Sequence, residues 1–414
     1  MTEKKMNGNL EVWLDVNFLD QPVRVGTLAH DRGQVRFKYD KDWLKHKLRF
    51  SIDPKLTLDN AAFFPNADTG NFGIFLDSSP DRWGQTLMKR REVIDAQNEN
   101  RKPINLYAWD FLIGVQDFTR QGALRFRHEG SEEFLAANAL SAPPVAKLGE
   151  LEAVAKELTS KRIDDLDALK RWLAVLVAPG SSLGGARPKA NFTDTDGSLW
   201  IAKFPAKDDV RDIGAWEMVA HQLAQRAGID VPTARIQKFA DEYHTFCVNR
   251  FDRQGTRRIF YASAMTLLGR AESEGTSYLD LAQFLMTNGA KSFIKPDLEQ
   301  LFKRVVFNIL VGNRDDHLRN HGFLLTADGW RLSPAFDVNP NTDKATHALN
   351  IDDVDNRPIL DNVLPTAAFY ELTNARAKEV CQEVLTVVRT WKSAAKKLRI
   401  ANVEIAMMES VFMA

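Results

Sequence analysis

Cysteine is nearly absent from this sequence: Cys247 and Cys381 are the only two in 414 residues. That excludes a disulfide-stapled scaffold and a cysteine-based metal centre, and it suits a reducing compartment. Long apolar runs are absent too. Stretches such as 172–178 fall far short of the ~20 residues that span a bilayer, and Met1-Thr2-Glu3-Lys4-Lys5 leads into polar residues rather than a signal core. Net charge is missing as well, since 55 Lys plus Arg balance 55 Asp plus Glu. No global field therefore draws the chain to nucleic acid or to an anionic membrane. There is no internal repeat and no low-complexity tract. The expectation is a soluble, cytoplasmic globular protein with no membrane role.

What is present is ordinary in bulk, 44% hydrophobic and 27% charged. The length exceeds a single core and predicts two or three lobes. Residues 10–16 and 35–39 alternate as half-buried strands do, with Gly26 and Gly33 between them. The pattern over 81–98 is helical, with Trp83, Leu87 and Val93 on one side. Small and polar residues over 129–144, ending in Pro143-Pro144, mark a boundary. Helices are predicted over 145–158 and 166–177, then a glycine-rich loop over 180–186. A hairpin follows, 189–193 and 199–204, turning at Asp194-Thr195-Asp196-Gly197. A helix over 213–227 stops at Gly228 with Pro232 beyond, and 233–239 pairs with 244–251. Past Gly255 the chain is expected to be mainly helical to its end, except over 311–341. This divides the chain into a β-rich segment (1–140), a mixed segment (141–254) and a mainly helical segment (255–414), an α+β class.

The chemistry concentrates in that exception. Gly312-Asn313-Arg314-Asp315-Asp316-His317-Leu318-Arg319-Asn320 follows an apolar helix (301–310). It precedes a hairpin that turns at Ala327-Asp328-Gly329 and closes on Phe336-Asp337. Protein kinases place a catalytic Asp and a Mg-binding Asn five positions apart before such a hairpin, with a second metal-binding Asp at its far end. Asp315, Asn320 and Asp337 satisfy that order. One carboxylate must take or orient the attacking hydroxyl, while a separate amide and carboxylate hold the hard cation that neutralises a triphosphate. Taken singly, each of these residues is a common turn former or cap; the spacing and element order distinguish the set.

Upstream, Gly184-Gly185-Ala186 offers close backbone approach to phosphates, and Arg187 or Lys189 can add charge. No Walker sequence follows. Lys203 is a lone cation in an apolar strand, placed to meet α- and β-phosphates, with Glu217 on the next helix as its partner. A snorkelling strand lysine and a solvated helix glutamate are the alternatives for those two. His317 stands without a ligand cluster, which favours a structural or nucleotide-contacting role over a metal ligand. No nucleophile–base triad is visible.

These motifs together resemble the HipA family, the kinase toxins of bacterial toxin–antitoxin systems. Ser182-Leu183-Gly184-Gly185-Ala186-Arg187-Pro188-Lys189 is similar to the family's phosphate loop, and Ala202-Lys203-Phe204-Pro205 to its strand lysine. Val248-Asn249-Arg250-Phe251-Asp252-Arg253 resembles its adenine-side hinge. Segments 313–320 and 334–338 resemble its catalytic and metal loops. Asp77-Ser78-Ser79-Pro80-Asp81-Arg82-Trp83-Gly84 resembles the accessory subdomain's signature. The likeness runs over about residues 10–345.

The resemblance implies an ATP- and Mg2+-dependent serine/threonine kinase of two kinase-like lobes, with residues 1–140 as a β-rich accessory subdomain, 141–254 as the nucleotide-binding lobe and 255–414 as the helical lobe. In it Asp315 is catalytic, Asn320 and Asp337 ligate Mg2+, and Lys203 contacts phosphates. Asn249 and Phe251 meet adenine through the backbone, although Asn249 stands where an acidic residue is common. Ser182, or the adjacent Ser181, sits where the family autophosphorylates, and roughly −2 of charge there would expel the loop from the nucleotide. The resemblance further implies a helix-turn-helix antitoxin partner and operator DNA contacted mainly through it; no recognition helix is legible in this chain. A protein substrate in translation, such as an aminoacyl-tRNA synthetase, is also implied. Two other readings share these residues: a kinase-fold enzyme acting on a small molecule, and a catalytically idle co-repressor.

Overall fold

The alternating segments near the amino terminus become strands in the computed structural model, which describes residues 8–135, 142–159 and 187–413. Five strands form one antiparallel sheet in the order β4-β3-β2-β1-β5: β1 Gly8–Leu14, β2 Val23–Asp31, β3 Gln34–Tyr39, β4 Ala62–Phe63 and β5 Leu124–His128. In β3 the alternation is complete. Val35, Phe37 and Tyr39 are buried, while Gln34, Arg36 and Lys38 are exposed, as a sheet with one wet face requires. Gly26 lies opposite Tyr39 because a Cβ there would come within 2.5 Å of both the Lys38 carbonyl and the Phe37 ring.

Contacts group the chain into two compact units, Met1–Ala202 with Asp252–Ala262, and Lys203–Phe251 with Ser263–Ala414. This differs from the three consecutive segments expected from sequence, because a short run after Phe251 returns to the first unit. Within that unit, helix Arg82–Asn98 starts at Asp81, whose carboxylate caps the Gly84 N–H at 2.7 Å. Its buried stripe is Trp83, Leu87 and Ile94 rather than Val93, which is exposed. Eleven residues of helix return Ile94 to the face of Trp83, whereas Val93 falls about 100° away.

The predicted helix over 145–158 is a short 3-10 turn followed by Leu148–Thr159. The helix expected over 166–177 lies outside the described residues. The predicted hairpin appears as Lys189–Thr193 and Leu199–Lys203.

The second unit is built on helix Ile294–Val311, which is buried on all faces from Leu301 onward. Leu301, Phe302, Val305, Val306, Ile309 and Leu310 are each at most 1% exposed. At roughly 1.5–3 kcal/mol per buried side chain, this helix anchors the core of the unit. It packs on helices Tyr278–Asn288 and Asn374–Val388. It ends at Gly312, whose φ of +68° supplies the left-handed C-cap. A Cβ at Gly312 would come within 2.5 Å of Val411 Cγ1. The expectation of helix throughout the rest of the chain fails over 342–359, which is largely irregular. Asp352 and Asn341 there fold their own loops by accepting nearby backbone N–H groups. No helix among the described residues is long and apolar enough to cross a membrane.

Candidate active site

Lys203 ends its strand, Glu217 lies on helix Ile213–Arg226, and Asp337 follows hairpin Gly322–Leu332. The helix is set by its N-cap Asp212, which accepts the Ala215 N–H at 3.0 Å, and by Gly228 beyond its end. The hairpin is pinned to the first turn of helix Ile294–Val311. Asp297 there accepts Arg331 Nε and Nη2 along one guanidinium edge, at 2.8 and 3.0 Å, and the Leu332 N–H at 3.0 Å.

These supports bring the three side chains together. The Lys203 ammonium donates to Glu217 Oε1 at 2.5 Å and to Asp337 Oδ1 at 2.6 Å. Burial by itself would lower the lysine's pKa, but the two carboxylates outweigh it and hold the ammonium protonated well above the ordinary lysine value.

Asp337 sits at φ +57°, a conformation uncommon outside glycine and maintained where the surrounding structure over-determines it. Phe336 beside it packs on Phe251, ring centroids 5.4 Å apart.

The loop after Gly312 separates two adjacent aspartates. Asp315 is exposed and ion-paired with Lys344. Asp316 points inward, where the Tyr278 hydroxyl donates to its Oδ2 at 2.6 Å and Asn308 Nδ2 at 2.7 Å, with His321 Nε2 at 2.7 Å. Burial pushes its pKa up, but His321, Tyr278 and His347 more than compensate, leaving Asp316 below the usual carboxylate range. The same carboxylate drives the Tyr278 hydroxyl well above its ordinary value, on top of the larger effect of burial. Asn313 ties the loop back to the helix through Asn308 Oδ1 at 3.1 Å. Asp316 was not singled out from sequence; the only available signal was its adjacency to Asp315.

Asn320 is buried, and its Nδ2 donates to the Asp315 carbonyl at 3.2 Å, which leaves the amide oxygen as the end suited to a cation. Asn320, Asp316, Phe336 and Val338 border one cavity of about 10 Å³, on the order of a single water. The loop and the segment around Asp337 are thus neighbours. Oxygen donors from Asn320 and Asp337 fit a hard cation such as Mg2+. His317 is half-buried, and its backbone N–H donates to the Asp315 carbonyl at 3.0 Å.

The remaining candidates fall elsewhere. Lys189 lies in the first unit, its ammonium 2.9 Å from Asp81 with both side chains almost wholly buried. Trp83 Nε1 donates to the Lys189 carbonyl at 3.2 Å. This lysine is therefore committed to the Asp77–Gly84 motif in this structure, not presented to a phosphate. Arg187 is half-buried in the same unit. The Asn249 N–H is taken by the Thr233 carbonyl at 2.8 Å inside its hairpin, so adenine could be met there only through another atom. Ser181, Ser182, Gly184, Gly185 and Ala186 lie outside the described residues.

A buried lysine–glutamate pair, an aspartate after a hairpin and a preceding Asp-x4-Asn loop define an α+β chain of kinase-like fold. A family model described as the HipA-like C-terminal domain matches residues 181–391, and one described as the HipA N-terminal domain matches 12–102. The chain belongs to the HipA family.

A solved structure of Shewanella oneidensis HipA, in complex with HipB and operator DNA, aligns with a TM-score of 0.64 at 21% identity. That alignment covers 97% of this chain and 94% of that one. The Shewanella oneidensis serine/threonine-protein kinase toxin HipA is 24% identical over 187 residues, 39% of this chain and 43% of its own length. A Haemophilus influenzae protein is 24% identical over 181 residues, 38% of this chain and 52% of its own length. In sequence, the chain thus spans about half the length of these curated relatives.

Proposed function

We propose that this protein is an ATP- and Mg2+-dependent serine/threonine kinase, the toxin of a HipA-type toxin–antitoxin pair. The observation that carries the reading is the Lys203 bridge to Glu217 and Asp337, which joins a strand end, a helix and a post-hairpin loop at one ammonium. Asn320 and Asp337 would hold Mg2+, which when bound neutralises the triphosphate. Lys203, oriented by Glu217, contacts the phosphates, and Asp315 accepts the proton of the attacking hydroxyl. The buried network around Asp316 holds the Asp315 loop in place, so catalysis rests on positioning and charge rather than on a covalent intermediate.

The partner that fits this reading is a helix-turn-helix antitoxin, with operator DNA contacted mainly through it. The acceptor is a protein of translation, with Ser182 or Ser181 as a self-modification site that switches the kinase off. The complex solved for the Shewanella HipA supports the partner.

The test is to incubate wild type and Asp315→Ala with Mg-ATP, record intact masses and map the phosphate. Added phosphate on wild type alone, at Ser182 or Ser181, is expected. No ADP and no added mass from phosphate-free wild type would shift the reading to an idle co-repressor.

A further inference from the structure

Lys344 was not among the residues singled out from sequence, yet its ammonium lies on Asp315. Both side chains remain about half exposed, at 46% and 52%, and ion pairs so placed add little stability. The lysine's backbone, by contrast, is fixed. Its N–H donates to Asn341 Oδ1 at 2.8 Å, and its carbonyl accepts Arg314 Nη1 at 2.8 Å. The Asn341 N–H donates to the Gly312 carbonyl at 2.9 Å and the Ala348 N–H to the Arg314 carbonyl at 3.1 Å. Segment 341–348 is thereby tied to 312–314, directly before Asp315. An anchored stem with a swinging head, set on the carboxylate assigned to the acceptor, is placed for chemistry more than for stability.

We propose that Lys344 is a further catalytic residue whose ammonium contacts the phosphoryl group as it passes to the acceptor beside Asp315. This rests on the kinase reading above. Transfer brings an anionic phosphoryl group toward a carboxylate, and the two repel unless a cation stands between them. Lys203 is assigned above to the nucleotide's phosphates and Mg2+ to Asn320 and Asp337, on the donor side of the transfer, while Arg314 is held by the Lys344 carbonyl. Lys344 supplies the missing charge. The bond from the acceptor oxygen to the γ-phosphorus forms, and the bond from that phosphorus to the bridging oxygen breaks. ADP departs with the electron pair, and the acceptor proton passes to Asp315. As Asp315 is neutralised, its hold on Lys344 weakens and the ammonium remains with the phosphoryl oxygens. The long flexible stem of a lysine permits that short swing.

The experiment uses phosphate-free full-length wild type, Lys344→Met and Lys344→Arg. It measures single-turnover ADP formation from Mg-ATP, affinity for Mg-ADP by calorimetry, and melting temperature. Lys344→Met should lose about 100-fold in rate, with Mg-ADP affinity within about twofold and an unchanged melting temperature. Lys344→Arg should recover roughly tenfold of that loss. Transfer by Lys344→Met at the rate of an active wild type would overturn the inference and leave the kinase reading standing. A rate loss matched by an equal loss of Mg-ADP affinity would also overturn it, by making Lys344 a ground-state nucleotide contact. A wild type that neither binds Mg-ADP nor forms ADP would remove both.

Discussion

Lys189 opens one strand and Lys203 closes the next, and both ammonium groups are bound to carboxylates, but the company differs. Lys189 meets Asp81, with both side chains at most 3% exposed, in a buried pair woven into a helix cap. Lys203 meets two carboxylates, one of them on Asp337, whose side chain is 31% exposed. A buried pair is out of a ligand's reach, and its worth lies in not being broken. A carboxylate that stays accessible, as Asp337 does, can still meet a cation. The exposure of the partner carboxylate, rather than the lysine, separates architecture from a candidate site.

Replacing each lysine by methionine should split the two roles. Lys203→Met is expected to cost about 10³-fold in phosphotransfer, roughly 4 kcal/mol of barrier, with folding retained. Intact-mass kinetics and circular dichroism measure the two quantities. Lys189→Met should instead destabilise the fold by about 3–5 kcal/mol, because it breaks a buried ion pair to Asp81 from one side. Urea unfolding reads that loss, and adding Asp81→Asn should restore part of it. If Lys189→Met kept its stability but lost Mg-ATP affinity, the contrast would collapse and Lys189 would rejoin the phosphate contacts.

A milder test is Glu217→Gln, which keeps the shape and removes one of the two charges on Lys203. About a tenfold fall in rate is expected, on the order of 1.4 kcal/mol, and a wild-type rate would show that Glu217 is dispensable for orienting the lysine.

The smallest effect concerns pH. His347 is pushed down from 6.5 to about 4, chiefly by burial, with Asp316 opposing and Arg314 reinforcing the shift. The folded chain thus keeps this imidazole neutral while the unfolded chain takes a proton near 6.5. Its effect is nil above that pH, grows as pH falls toward about 4 and levels off below. Between pH 7 and 4, wild type should lose roughly 2–3 kcal/mol more stability than His347→Leu. Parallel acid unfolding curves would show that His347 is not the group responsible.

Much of this was legible because it is local. Periodicity, turns and alternation placed the helix after Asp81, the strands over 10–16 and 35–39 and the stop at Gly228, while the strand Val23–Asp31 between them was not anticipated. The five-residue spacing singled out Asp315 and Asn320 before any coordinates. What escaped depends on contacts distant in sequence. Nothing local to Lys189 announces Asp81, more than a hundred positions earlier. Asp315 and Asp316 are chemically identical neighbours, and only the turn of the loop sends one to solvent and the other to Tyr278 and His321. Lys344 lies in a run with no regular element, where neither helical nor strand periodicity can point to a partner.

The left-handed backbone at Asp337 narrows the chemistry that position can sample over time. Asparagine tolerates the same dihedral and glycine adopts it freely, but one forfeits the charge and the other the oxygen donors. Glutamate would preserve both while straining the backbone and lengthening the reach by one carbon. On the kinase reading proposed above, a homologue that had abandoned phosphotransfer would be expected to show Asn or Gly here first, with its fold undisturbed.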